Sequence, residues 1–146
     1  MHNIIDKGFI LMKRIFTLLV VFLCSCSATQ IEYQNNLKVL LQNSTNEDYG
    51  TLPKEYKAIT ETGIKMLLKD PDSAKFIWSE PYRCNFPAKD SPATPLLGWC
   101  TKVKYNAKNS FGGYVGYKLH ETRWYKGDIY SVCSQTQNGL IFCSSK

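Results

Sequence analysis

Histidine is almost missing from this chain: two occur in 146 residues, His2 and His120. An imidazole-built metal centre needs several, and a Ser-His-Asp or Cys-His nucleophile needs a base that converges with a nucleophile and an orienting group. His120, beside Glu121, stands alone in the body of the chain and is expected at the exposed end of a strand. No CxxC occurs among the six cysteines, which argues against a zinc ribbon or a thioredoxin-like redox site. Carboxylates such as Asp90, Glu121 and Asp128 are scattered, without the local pairing that would suggest glycoside hydrolysis. No apolar run reaches the roughly 20 residues a spanning helix requires. These absences point to a chain that is not an enzyme and that carries no cofactor and no metal.

The longest apolar run is short and placed at one end. Lys13 and Arg14 precede Ile15 to Leu23, the charge order and length of a signal-peptide core. The residues that follow, Leu23, Cys24, Ser25 and Cys26, resemble the lipobox of bacterial lipoproteins, departing from it at Cys24, where a small uncharged residue is commoner. The resemblance implies cleavage before Cys26 and acylation of that cysteine. At roughly 0.8 kcal/mol per buried methylene, two or three chains anchor a protein far better than one. Met12 begins a compact signal peptide and is the expected start. Ser27 in place of Asp after the lipidated cysteine implies, by likeness to enterobacterial lipoproteins, an outer-membrane location. The division expected is a signal peptide over 1–25, a lipidated cysteine and polar tether over 26–52, and one domain over 53–146.

Four cysteines then remain: Cys84, Cys100, Cys133 and Cys143. In an oxidising compartment they suggest two disulfides, with three connectivities open. Hairpin register separates these. A two-residue Asn138-Gly139 loop sets Cys133 opposite Ser144, whereas a three-residue loop of Gln137, Asn138 and Gly139 sets it opposite Cys143. The second is favoured, giving Cys133 to Cys143 and, by elimination, Cys84 to Cys100 across a proline-bearing loop. Closing a loop of about 15 residues contributes about 3 kcal/mol on the chain-entropy model.

From Ser27 to Leu52 the chain is polar, with a short helix possible at Ile31, Leu37, Val39, Leu40 and Leu41. Pro53 opens a helical pattern through Lys69, with Tyr56, Ile59, Gly63, Met66 and Leu67 on one face. Gly63 would permit close approach to a sheet. Asp70 and Pro71 read as an N-cap and first helical residue, and Phe76 to Trp78 as the first strand. Pro81, Pro87, Pro92 and Pro95 mark a loop excluded from any central ladder. Period-two alternation then marks strands at Trp99 to Tyr105, Tyr114 to Leu119, Thr122 to Tyr125, Ile129 to Cys133 and Leu140 to Cys143. The fold expected is α+β: an N-terminal helix packed on a small antiparallel β-meander, stapled by disulfides.

Charge concentrates in one stretch. The chain carries 18 Lys+Arg against 12 Asp+Glu; removal of residues 1–25 takes away Lys7, Lys13, Arg14 and Asp6 and leaves 15 against 11. Between Trp99 and Lys126, the bases Lys102, Lys104, Lys108, Lys118, Arg123 and Lys126 meet only Glu121. Within it lies Tyr105 to Lys118, whose wording NAKNSFGGYVGY, together with DPDSAKF at Asp70 to Phe76, resembles a family of small bacterial exported proteins and lipoproteins, some carried by phage-like elements. The likeness covers roughly 64 to 119 and implies export; it brings no activity with it.

Lys102, Lys104, Lys108, Phe111, Tyr114, Tyr117 and Lys118 together make a candidate binding face. Gly113 to Tyr117 echoes half of an RNP1 strand, but the other half is missing and export removes the chain from cytoplasmic RNA, so nucleic acid is not an expected partner. The expectation is a membrane-anchored binding module of the cell envelope that takes an envelope protein or an anionic envelope component. Its rivals are a structural accessory subunit of a secretion or conjugation machine and, with less support, a cell-wall hydrolase.

Overall fold

Six antiparallel strands and two α-helices make up an α+β fold in the computed structural model, which describes residues 27–135 and 141–145. The lipobox, the signal peptide before it, and the loop Gln137 to Gly139 lie outside the described residues. In chain order the elements are α1 (residues 27–43), the 3-10 turn Asn46–Tyr49, α2 (Tyr56–Lys65), a second 3-10 turn Pro71–Ser73, and strands β1 (Lys75–Trp78), β2 (Tyr82–Pro87), β3 (Pro95–Asn106), β4 (Lys118–Tyr125), β5 (Asp128–Gln135) and β6 (Ile141–Ser145). Strand order is β1-β3-β4-β5-β6, and β2 pairs with β3 on the edge that β1 also occupies.

One face of the sheet holds Leu97, Thr101 and Val103 of β3 with His120, Thr122 and Trp124 of β4. Trp124 is 1% exposed and donates its indole N–H to Thr101 Oγ1 at 3.0 Å, so its one polar atom is satisfied inside the core. The helix α2 contributes buried Ile64 and Thr60. Trp78 joins α2 to β1 by donating to Glu61 Oε1 at 2.8 Å while its ring meets Tyr56 edge-on. On the opposite face, Phe86 stacks on Tyr130 at 4.7 Å above Gly98.

The expected helix over 53–69 is shorter. After Lys65 the chain tightens through Leu67 N–H to Ile64 O and Leu68 N–H to Lys65 O, because Met66 and Leu67, 77% and 83% exposed, have no core to enter. Gly63 faces open space, and the close approach belongs instead to Gly98. The proline segment is a strand in part: Pro81 precedes β2 and Pro92 lies in the loop over 88–94, but Pro87 pairs with Pro95 at the hairpin mouth, and β2 lies on an edge where missing donors cost little. Conversely, of the strand expected over Tyr114 to Leu119 only Lys118 and Leu119 are extended into one, as the start of β4. Gly112 and Gly116 have φ of 79° and 93°, values that break a ladder, and only Tyr114 makes a bridge, to Lys108. β4 starts at Lys118 and runs unbroken to Tyr125, where Lys126 and Gly127, both at positive φ, turn the chain into β5.

Both disulfides have the expected pairing, Cys84 with Cys100 and Cys133 with Cys143, the latter directly opposite in register. The segment read as a tether touches the sheet at several points. Tyr33 Oη donates to Asn85 Oδ1, Asn36 to Ala93 O, Arg83 to Asn46 Oδ1, and Trp99 Nε1 to Gly50 O. Among the described residues no helix is long and apolar enough to cross a membrane.

Candidate ligand-binding groove

The two stretches DPDSAKF and NAKNSFGGY, far apart in sequence, meet in space. Asp70 Oδ1 accepts from Ser73 N–H, capping the second 3-10 turn, and Ser73 Oγ in turn accepts from the Lys108 backbone N–H at 2.9 Å. Tyr114 Oη donates to Ser73 O at 3.2 Å, and Lys75 Nζ sits 4.6 Å from the Tyr114 ring centroid. Asn109 organises the loop tip: its Oδ1 accepts from Phe111 and Gly113 N–H, and its backbone pairs with Gly112 and Gly113. This leaves Phe111 96% exposed at the apex.

Between that loop and the end of α2 lies an open groove of about 610 Å³, within the size range of small-ligand and peptide sites. It is lined by Tyr105 and Asn106 at the end of β3 and by Ala107 and Lys108 just beyond it. Leu67 and Leu68, after α2, and Val115 and Tyr117, before β4, line it as well. Three cations line it, Lys69, Lys108 and Lys118, and no carboxylate does. Among the described residues Lys69 and Lys118 have no acidic partner. Asn106 lines the groove too, and its Oδ1 is buried with no hydrogen-bond partner. Burial pushes the Tyr105 phenol above its usual range, so that hydroxyl stays neutral.

The seven residues expected to share one face are divided by the pleat. Lys108, Tyr117 and Lys118 line the groove, and Phe111 and Tyr114 belong to its loop. Lys102 and Lys104 lie on the other face of β3, opposite Glu121 and Leu119. There Lys102 is 3.4 Å from Glu121 Oε2, Arg123 is 3.3 Å from Oε1, and Tyr82 also donates to Oε2. Hydrogen bonding to Tyr82 is the largest of the influences that raise the Lys102 pKa, and Glu121 adds to it. On that face Glu121 pairs with Lys102 and Arg123, whereas the groove holds three lysines and no acid.

Leu67, Lys69 and Asn106 were not foreseen as site residues. A signal was present in Leu67-Leu68-Lys69, an apolar helix end cut off by Asp70-Pro71 before another turn could bury it.

His120 is also corrected: it is 7% exposed rather than a surface residue, because β4 begins two residues before it and places it inward with Thr122 and Trp124. Ser134 Oγ lies 3.2 Å from its Nδ1, and burial lowers its pKa. No carboxylate hydrogen-bonds it among the described residues, and none of them form a group of three or more His, Cys, Asp or Glu able to hold a metal.

No family model, curated protein or solved structure matches this chain. The groove must therefore be read from its own chemistry.

Proposed function

We propose that this is a bacterial envelope lipoprotein, anchored in the outer membrane through Cys26, whose domain is a non-enzymatic module that binds an anionic partner in the groove. The observation that carries the binding role is a concavity of about 610 Å³ lined by three lysines and no acid, next to apolar side chains left open to solvent. Cations confined beside a low-dielectric wall attract an opposite charge more strongly than lysines spread over a surface. Export is supported by the lipobox resemblance at Leu23 to Cys26 and by two disulfides, which persist in oxidising compartments.

Charge reversal tests the binding role. Lys69→Glu, Lys108→Glu and Lys118→Glu together should abolish salt-sensitive capture of envelope components by the full protein, whereas Lys104→Glu on the other face should leave capture intact. Equal capture by the triple variant and the native protein would refute it. Intact-mass measurement of the natural product tests the anchor: a diacylglycerol adduct at Cys26 is expected, and a free thiol there removes it.

A second reading has its own observation. Ile31, Val39 and Leu41 of α1 are 61%, 58% and 44% exposed, apolar side chains distributed around the side of the helix away from the half-buried Tyr33, Leu37 and Leu40. Apolar groups left open in this way suit a structural accessory subunit whose α1 is enclosed by a larger envelope assembly. Protection of residues 27–43 from limited proteolysis in native membranes, with exposure after purification, would favour it.

A further inference from the structure

We infer that the groove's occupant is a short acidic peptide segment of a partner protein. This rests on the binding role proposed above and specifies its ligand class. Three features of the groove must be met at once. Lys69, Lys108 and Lys118 require negative charge. Leu67, Val115 and Tyr117, 83%, 56% and 50% exposed, require apolar groups to cover them. Asn106 Oδ1, buried and unpaired beside the groove, can accept from an N–H or an O–H donor.

Phosphatidylglycerol offers charge, hydrocarbon and glycerol O–H donors, but its charge sits at one end and its hydrocarbon at the other, whereas apolar side chains and lysines are interleaved in both stretches that line the groove, Leu67-Leu68-Lys69 and Val115-Gly116-Tyr117-Lys118. A polyuronate offers charge and hydroxyls, but no apolar side chains. A peptide with carboxylates and aliphatic or aromatic residues supplies all three, with backbone amides as the donors.

The test uses the full chain in non-ionic micelles and follows the NMR resonances of Tyr105, Val115 and Tyr117, with Ile77 and Tyr82 as reporters of the other face. Three probes are titrated: a library of amidated hexapeptides with two glutamates and two leucines or phenylalanines, dihexanoyl phosphatidylglycerol below its micelle concentration, and an oligogalacturonate. Members of the library should shift the groove resonances saturably and leave the other face unmoved. Lys108→Gln with Lys118→Gln should weaken binding about fivefold to tenfold, as exposed charge pairs do. On the native protein, N-methylation of one backbone amide of the best peptide should cost at least as much, with charge and side chains unchanged. Shifts from phosphatidylglycerol or oligogalacturonate with none from any peptide would overturn this inference and leave the binding role standing. If none of the three probes moves the groove, both fall.

Discussion

Gly98→Ala should destabilise the domain more than a methyl addition at any other glycine among the described residues. A Cβ at that position would lie 2.3 Å from Trp124 O and 2.9 Å from Phe86 Cζ. An ordinary contact begins near 3.4 Å, so β4 would have to retreat by about 1 Å, or β3 rotate by an equivalent amount. Neither neighbour has slack. Trp124 is 1% exposed and tied to Thr101, and Phe86 is 1% exposed and stacked on Tyr130. Overpacking of a closed core costs about 1–3 kcal/mol, and a backbone oxygen as the obstacle places this case near 3. With a urea slope of about 1.5 kcal/mol per molar, the unfolding midpoint should fall by about 2 M. Gly63→Ala is the internal control: nothing lies within 4 Å of its Cβ, and α2 should gain about 0.8–1 kcal/mol from the better helix former. A Gly98→Ala midpoint within 0.3 M of the native protein, or a destabilised Gly63→Ala, would refute the packing argument.

His120 sets a pH dependence whose sign follows from its burial. Its native pKa lies below the ordinary 6.5, so the unfolded chain binds the proton more readily. Its contribution is fully present above pH 6.5, declines as pH falls through that value, and levels off below the native pKa. Urea midpoints between pH 7.5 and 5 should therefore slope downward, and His120→Gln should remove that part of the slope; an unchanged slope in the variant would count against it. For the crosslinks, Cys84→Ser with Cys100→Ser opens a closure of 16 residues and should cost about 3 kcal/mol, read as a lower thermal midpoint. Replacing Cys133 and Cys143 by Ser opens 10 residues and should cost slightly less, again about 3 kcal/mol; a gain in stability from either replacement would contradict the loop-closure account.

Much of the fold could be read from local pattern. Alternation from Trp99 to Tyr105 marked β3, because a strand in a half-covered sheet repeats every two residues. Cys133 and Cys143 could be paired because hairpin register is counted residue by residue from the turn. The errors arose where local chemistry permitted two outcomes. Tyr114 to Leu119 carries a strand-like alternation, but Gly116 at positive φ broke it, and β4 begins only at Lys118. The proline segment avoids a central ladder, as a missing donor requires, yet an edge beside β3 was open to it.

By itself, then, the sequence determined the α+β class, both cysteine pairs and the stretch in which positive charge collects, since each depends on periodicity, spacing or composition. Only the tertiary structure decided which of those charges act together. The pleat sent Lys102 and Lys104 to the face where Glu121 meets Lys102, and Lys118 to the other. Packing then brought Lys69, four residues past α2, into one groove with Lys108 across a 39-residue separation that no local pattern encodes.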